Sequence, residues 1–268
     1  MISLTGRRAI VTGASAGLGA AIAAELLARG ARVVISSRSP ERLRAAAERM
    51  HADAARQGGQ HAPALFTIPA DVRDPETAPR LAASAREHLG GLDILVCNAG
   101  GPLPGDFGDM DDAAWQEGFG LVLLAPIRLI RACLPLLRES GSGRIVLMNS
   151  MSALHPVKRL ILSNTLRPGL VGLARHLGGE FAKDGILVNV IAPGYFATDR
   201  AQEVQESIAR MTGRTADEVR RETEVGIALK RQGDPPEVGR LVAFLASTEN
   251  TYITGQTIVI DGGLTTAP

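Results

Sequence analysis

The feature that most constrains this fold is a set of seven short runs that are almost continuously apolar. A strand with one face in water alternates apolar and polar side chains, whereas a strand covered on both faces stays apolar throughout. Stretches of helical character separate the runs, and this alternation is typical of a parallel sheet with helices on both sides. The predicted strands are Ala9–Val11, Val33–Ile35, Leu65–Ile68, Ile94–Val96, Ile145–Met148, Ile186–Ile191 and Ile258–Ile260.

The segments between the runs predict a single domain over residues 1–268. No linker rich in Pro, Gly or Ser is long enough to separate two domains. Residues 194–230 differ from the rest because they are polar and rich in charge, and we predict that they form two helices that cover a ligand as a lid. Other predicted helices are Glu41–Arg56, Glu76–His88, Asp111–Leu137 and Leu160–Lys183.

The composition excludes several classes of protein. Hydrophobic residues make up 45% of the chain and charged residues 21%, which is ordinary for a globular α/β protein and excludes a disordered one. The formal net charge of +1 offers no electrostatic basis for binding nucleic acid or an anionic membrane surface. Pro126 and Arg128 interrupt the most apolar long stretch, Leu121–Leu137, so we interpret it as a buried helix and not as a membrane span.

Cysteine usage and the N-terminus bear on the compartment. Cys97 and Cys133 are the only cysteines and have no CxxC spacing, so the sequence predicts neither a disulfide framework nor a metal site. A strand-like run begins within ten residues of Met1, which leaves no room for a cleavable signal peptide. We therefore expect a cytoplasmic protein.

A glycine-rich turn joins the first predicted strand to the helix that follows. Its sequence is Thr12-Gly13-Ala14-Ser15-Ala16-Gly17-Leu18-Gly19. Glycines let the backbone approach a diphosphate closely, and the start of the helix supplies free N–H groups and a partial positive charge. Glycines also suit an ordinary tight turn, but the strand-turn-helix context favours phosphate binding.

The end of the second predicted strand indicates which dinucleotide would bind. The chain reads Ser36-Ser37-Arg38 there, with no acidic residue before Glu41. Folds that bind NAD place an acidic residue at this point, against the ribose 2′-hydroxyl. The guanidinium of Arg38 instead suits a 2′-phosphate, so we predict NADP(H) in preference to NAD(H). The alternative is that Arg38 is simply a solvated surface arginine.

These motifs, with others in the same order, resemble those of the short-chain dehydrogenase/reductase family, most of all its β-ketoacyl-acyl-carrier-protein reductase branch. The match runs from about Arg8 to Gly263. It implies a doubly wound, parallel, seven-stranded sheet of the Rossmann type, with strand order 3-2-1-4-5-6-7, and a homotetramer. The other matching motifs are Asp71-Val72, Asn98-Ala99-Gly100, Asn189-x-x-x-Pro193-Gly194 with Thr198, and Gly255-Gln256 to Asp261-Gly262-Gly263.

The resemblance also implies a set of cofactor contacts. Asp71 and Val72 would contact the adenine, and Pro193 and Gly194 would lie in the loop on the nicotinamide side, with Thr198 contacting the carboxamide or a phosphate. The implied cofactor residues are Gly13, Ser15, Gly17, Leu18, Gly19, Arg38, Asp71, Val72, Asn98, Ala99, Gly100, Arg167, Pro193, Gly194 and Thr198.

The catalytic positions depart from the family pattern. Ser150 matches the family serine that orients the substrate carbonyl. The two positions of the family's Tyr-x-x-x-Lys motif hold Ser163 and Arg167, and Val122 stands at the position of its asparagine. No tyrosine in the chain is followed by a lysine four residues later. The implied catalytic set is therefore Ser150, Ser163 and Arg167.

This departure limits the expected chemistry. A tyrosine, with a pKa of about 10, can be tuned into a proton donor, whereas the hydroxyl of Ser163 is a far weaker acid. Arg167 keeps a positive charge that can hold a ribose or stabilise an oxyanion, but it does not shuttle protons. Tyr195 and His155 are the nearby alternatives as proton donors, although the first also suits a lid anchor and the second a solvent-facing loop.

The sequence therefore predicts an NADP(H)-dependent oxidoreductase that interconverts a carbonyl and an alcohol on a small or acyl-carrier-bound substrate. The alternative is a dinucleotide-binding pseudoenzyme that senses the cofactor or scaffolds a partner. A hydrolase built on Ser150 and His155 is disfavoured, because no G-x-S-x-G motif surrounds the serine.

Overall fold

A computed structural model describes residues 2–56 and 64–265, and in it seven strands form one sheet. Every neighbouring pair is parallel, and the order β3-β2-β1-β4-β5-β6-β7 confirms the predicted fold class. The strands are β1 (Arg8–Thr12), β2 (Arg32–Ser37), β3 (Leu65–Pro69), β4 (Ile94–Cys97), β5 (Arg144–Met148), β6 (Leu187–Pro193) and β7 (Thr257–Ile260).

Helices cover both faces of this sheet. Ala9 and Val11 of β1 point into the hydrophobic cluster on one face, whereas Ile10 between them points into the cluster on the other. Each strand therefore buries alternate side chains on opposite sides, which explains the unbroken apolar runs. The helices are α1 (Gly17–Ala28), α2 (Pro40–Arg56), α3 (Thr77–Ser84), α4 (Asp112–Phe119), α5 (Ala125–Ser140), α6 (Ile161–Leu166), α7 (Pro168–Glu180), α8 (Asp199–Thr212), α9 (Ala216–Val225) and α10 (Pro235–Ala246).

Three of the predicted helical stretches contain a change of helical register or a break. A π-helical turn, Gly120–Leu124, separates α4 from α5, and another, Ala85–Leu89, follows α3. Pro168 separates α6 from α7, because proline lacks the N–H that a helix interior requires. The predicted helical stretches Glu76–His88 and Asp111–Leu137 therefore continue through a π-helical turn, whereas Leu160–Lys183 forms two helices.

The segment Asp112–Ser140 is the one candidate membrane span in the part of the chain that the structure describes, by length and composition only. Long core helices meet the same criteria. Leu129, Cys133 and Leu137 of this segment are buried in the hydrophobic cluster on one face of the sheet. This packing is that of a core helix.

The edge where β1 and β4 lie side by side positions the site. The chain moves outward from β1 through β2 to β3 and then crosses back to β4, so the strand order reverses between β1 and β4. In open α/β sheets, ligands bind outside the carboxyl ends of the strands at such a reversal. The segments that follow β1, β2 and β4 are therefore the first place to look for a functional site.

Residues 194–230, the predicted lid, contain two helices, α8 and α9. The two ends of this lid segment are connected by backbone hydrogen bonds. The N–H of Ala197 donates to the carbonyl of Gly233 (2.9 Å), and the N–H of Gly233 donates to the carbonyl of Tyr195 (3.0 Å). The buried ring of Phe196 takes up the space next to Gly233, where an added Cβ would lie 2.8 Å from the Cδ1 atom of the ring. Phe196, and not Tyr195, is the aromatic anchor of the lid.

Candidate functional site

The turn after β1 is built so that only glycine fits at three positions. Gly13 and Gly17 have φ of +61° and +55°, which side chains rarely adopt. A Cβ on Gly19 would lie 2.5 Å from Nδ2 of Asn98 and closer still to the carbonyl oxygen of Gly13. The first turn of α1 has no side-chain N-cap and no acidic residue, so these backbone N–H groups suit an anion such as a diphosphate.

Thr12 and Asn98 hold this turn against the end of β4. The buried hydroxyl of Thr12 donates to the carbonyl of Asn98 (2.7 Å) and accepts from its N–H (2.9 Å). The amide Nδ2 of Asn98 donates to the carbonyl of Gly13 (3.0 Å). The sequence Asn98-Ala99-Gly100 is thereby held beside the glycine turn.

A cleft of about 700 Å³ runs along this edge of the sheet. It is lined by the glycine turn, the end of β2, the segment after β3, the loop after β4 and α4. Eight of the predicted cofactor residues line it: Gly13, Ser15, Arg38, Asp71, Val72, Asn98, Ala99 and Gly100.

The other predicted cofactor residues do not line this cleft directly. Leu18 packs against the core. Pro193 ends β6, and Gly194 lies against Asp261, where an added Cβ would be 2.7 Å from the Cβ of that residue. Thr198 lies against the glycine turn, because its Cγ2 is 3.6 Å from the place of a Cβ on Gly17.

Two arginines stand at the β2 end of the cleft. Arg38 follows β2, and Arg42 lies one turn later in α2. Within the described residues, neither guanidinium donates a hydrogen bond to another protein group. Sequence analysis missed Arg42, which lies in the first turn of α2, four residues after Arg38. Together they can hold a phosphate monoester.

Asp71 is already engaged by a neighbouring side chain. Its carboxylate accepts hydrogen bonds from Nη2 (2.7 Å) and Nε (3.1 Å) of Arg73, which also contacts Glu117. The hydrogen bond from Arg73 is the main reason why the pKa of Asp71 is below its usual value, and the positive charge of Arg38 adds to the effect. Asp71 is therefore ionised and held in place at the side of the cleft.

Arg167 brings a half-buried positive charge to the β4–β5 side of the edge. Its Nε donates to Oγ of Ser163 (3.4 Å) and its Nη1 to Oδ1 of Asn149 (3.5 Å), while Nδ2 of Asn149 donates to the carbonyl of Arg167 (3.2 Å). No carboxylate of the described chain lies within ion-pair distance of it, and burial lowers its pKa to about 10. A desolvated cation with only neutral partners favours an anion or developing negative charge.

The surroundings of Arg167 are apolar. A small pocket beside its guanidinium is lined by Cys97, Val122, Met148 and Leu170, together with the Ala99-Gly100 segment. Burial raises the pKa of Cys97 far above its usual value and that of Cys133 to about 12, so both thiols are unreactive. Val122, at the family's asparagine position, contributes no polar group to this pocket.

Ser150 and the two alternative proton donors occupy different environments. Oγ of Ser150 accepts from the N–H of Ser152 (3.2 Å), which leaves the hydroxyl proton of Ser150 free to be donated. His155 is exposed, and so is Tyr195, at 40%. Neither of these two residues lines the cleft or the pocket beside Arg167, and Ser150 and Ser163 are absent from both linings as well. The structure therefore brings Ser163 and Arg167 together but does not bring Tyr195 or His155 to them.

Metal ligands are also absent from the site as far as it is described. In residues 2–56 and 64–265, no three His, Cys, Asp or Glu side chains come close enough to hold a metal ion. The polar groups of the cleft are instead backbone N–H groups, hydroxyls, guanidiniums and two carboxylates, Asp71 and Glu117.

Fold and site together define an α/β protein with a dinucleotide-type cleft at its strand-order reversal. A family model described as Enoyl-(Acyl carrier protein) reductase matches residues 13–265. Oxidoreductase UcpA of Escherichia coli O157:H7 is 38% identical over 267 residues, which cover 99% of this chain and 97% of that protein. The chain belongs to the short-chain dehydrogenase/reductase family.

Solved structures agree with this assignment. L-sorbose reductase from Gluconobacter frateurii, complexed with NADPH and L-sorbose, superposes with a TM-score of 0.92 at 29% identity and covers 100% of this chain and 99% of its own. A short chain oxidoreductase from Pseudomonas aeruginosa PAO1, with NADPH bound and an atypical catalytic center, has a TM-score of 0.86 at 32% identity, covering 98% and 99%.

Proposed function

We propose that this protein is an NADP(H)-dependent oxidoreductase that interconverts a carbonyl and an alcohol, with Ser150, Ser163 and Arg167 as its catalytic set. The observation that carries the proposal is the half-buried guanidinium of Arg167, which has no carboxylate partner within residues 2–56 and 64–265 and lies in the small pocket that shares Ala99 and Gly100 with the cleft. A charge in this position is costly unless negative charge arrives during the reaction. Reduction of a carbonyl generates such charge on the substrate oxygen.

The residues at the other end of the cleft fit the proposed cofactor. Backbone N–H groups of the glycine turn suit the diphosphate, and the free guanidiniums of Arg38 and Arg42 suit the ribose 2′-phosphate. The NADPH-bound relatives from Gluconobacter frateurii and Pseudomonas aeruginosa support this choice over NAD(H). The bound cofactor would supply or accept the hydride.

The remaining steps follow from the residues of the chain. Ser150 donates its free hydroxyl proton as a hydrogen bond to the carbonyl oxygen and orients it. Arg167 stabilises the negative charge that develops on that oxygen, and Ser163 holds the guanidinium in place. Neither residue is an acid at neutral pH, so a cleft water delivers the proton. Orientation of hydride donor and acceptor carries much of the rate, because positioned acid catalysis is worth only about 10²- to 10⁴-fold.

Absorbance assays of NADPH oxidation against ketones, ketoses and β-ketoacyl thioesters test this function. We expect turnover with at least one class, and a loss of about 10²-fold or more in kcat for Arg167→Met, the scale seen on removing an oxyanion-stabilising group. Arg240→Met, at an exposed position of α10, is the matched control and should keep the wild-type rate. Equal activity of the two variants would overturn the role of Arg167.

The second candidate function is a dinucleotide-binding sensor or scaffold, favoured by the apolar Val122 and the weak acid Ser163 at positions where the family has reactive groups. NADPH binding without turnover on any substrate would establish it and overturn the enzyme. The same NADPH oxidation assays distinguish a small substrate from an acyl-carrier-bound one, because they compare ketones and ketoses with β-ketoacyl thioesters. A cytoplasmic homotetramer stays a prediction, and a monomeric mass in sedimentation would contradict its assembly.

A further inference from the structure

The start of lid helix α8 meets the start of α1 at the cleft. Thr198 is the N-cap of α8, and its Oγ1 accepts from the N–H of Ala201 (3.2 Å). Its Cγ2 lies 3.6 Å from the place of a Cβ on Gly17, the first residue of α1. The first turn of α8 is therefore next to the backbone N–H groups that suit a diphosphate.

Arg200, in that first turn, lines the same cleft as Ser15 and Ala16. Its side chain is 74% exposed, and among the residues that the structure describes its one ion pair is with Glu203, at 3.5 Å. An exposed pair of this kind contributes little to stability, so the guanidinium can exchange it for a phosphate. Asp199, the acidic residue beside it, does not line the cleft.

The other arginines of the cleft serve different positions. Arg73 is bound by Asp71 and Glu117 and is not available to a ligand. Arg38 and Arg42 stand where β2 ends and α2 begins, at the place of a ribose 2′-phosphate. Of the four arginines that line the cleft, Arg200 alone is carried by the lid.

We propose that Arg200 binds the diphosphate of the dinucleotide from the lid side and so ties α8 to the bound cofactor. The inference rests on the proposed dinucleotide-binding function and adds to it a specific residue and a specific phosphate group. Because the diphosphate is common to NADPH and NADH, Arg200 acts on both cofactors alike, unlike a residue that binds the 2′-phosphate.

Calorimetric titration of Arg200→Gln with NADPH and with NADH tests the assignment. A charge-assisted hydrogen bond to phosphate is worth about tenfold or more in affinity, so we expect Kd to rise about tenfold for each cofactor. Arg210→Gln is the matched control, because Arg210 is exposed on the same helix about 15 Å further along. Its affinities should equal those of the wild type.

Two results would overturn the proposal: a change below about twofold with both cofactors, or a loss confined to NADPH, which would assign Arg200 to the 2′-phosphate. Hydrogen exchange of α8 gives a readout independent of turnover. NADPH should slow exchange of residues 199–212 in the wild type and in Arg210→Gln but not in Arg200→Gln. If the wild type binds neither cofactor, the proposed function fails as well, whereas tight binding that Arg200→Gln leaves intact defeats this inference alone.

Discussion

Replacing Gly19 with alanine is expected to destabilise the protein and weaken dinucleotide binding together. The added methyl group would lie 2.5 Å from Nδ2 of Asn98 and closer to the carbonyl of Gly13, whereas comfortable contacts with carbon begin near about 3.5 Å. The turn must therefore move by about 1 Å. That movement strains the hydrogen bond between Asn98 and Gly13, which is 3.0 Å long.

The size of the effect can be worked out from these contacts. Overpacking of a close-packed site costs about 1–3 kcal/mol, and loss of the hydrogen bond adds about 1 kcal/mol. We expect the free energy of unfolding to fall by about 2–4 kcal/mol, which for a domain of this size lowers Tm by roughly 5–15 °C. NADPH affinity should fall too, because the displaced backbone is the proposed diphosphate site.

Urea unfolding followed by circular dichroism measures the change, at one protein concentration because assembly would link stability to concentration. The matched control is Gly179→Ala in the last turn of α7, where an added Cβ meets nothing within 4 Å. Alanine is the better helix former, so this variant should be unchanged or more stable by up to about 1 kcal/mol. A Gly19→Ala protein within about 0.5 kcal/mol of the wild type would refute the reasoning.

Three further outcomes follow from the site and the lid. Arg38→Gln should weaken NADPH binding about 10- to 100-fold and leave NADH binding unchanged, since only NADPH carries the 2′-phosphate; calorimetry that finds equal losses would contradict this. The hydrogen bond from Arg231 is the main cause of the low pKa of Glu237, which is about 2 instead of the usual 4.5. The ionised carboxylate therefore stabilises the folded protein above about pH 4.5, and this stabilisation is lost as the pH falls towards 2. Arg231→Gln should raise that pKa in an NMR titration, and an unmoved titration would exclude Arg231 as the cause. Phe196→Ala removes a buried ring beside Gly233 at a cost of about 3–5 kcal/mol and should speed proteolysis within 198–232; an unchanged cleavage rate would show that the ring does not anchor the lid.

The strands could be predicted because burial on both faces leaves a direct mark on the sequence. Each strand of the sheet overlaps one predicted apolar run, and the strand order came from the family resemblance. The glycine turn was predictable for a similar reason, since positive φ at Gly13 and Gly17 restricts the residue type.

The interruptions of the helices were harder to predict. The break at Pro168 could have been predicted from the sequence, because proline disfavours helical backbone at the residue just before it. The π-helical turn Gly120–Leu124 has no comparable signature, because no proline lies within it.

The contacts of the site were also hard to predict from the sequence, because the fold brings together residues that are far apart in the chain. Arg42 and Arg200 reach one cleft from two helices far apart in the chain. Asn149 was missed because its role comes from its hydrogen bonds with Arg167, 18 residues later. Tyr195 follows Pro193-Gly194 directly and His155 is five residues past Ser150, yet neither residue lines the cleft.

The short backbone link between residues 195–197 and Gly233 has an evolutionary consequence. The segment between these points begins and ends at the same place, because backbone hydrogen bonds connect its two ends. Its length therefore has little effect on the free energy of folding, since doubling the length of a loop costs only about 0.6 kcal/mol of closure entropy. Insertions, deletions or whole exchanges near Gly213, between α8 and α9, can reshape what enters the cleft while the β1–β4 edge keeps its architecture. Chimeras that swap residues 201–232 between relatives, and so keep Thr198 and Arg200, would be a practical route to new substrate preferences on an unaltered nucleotide-binding site.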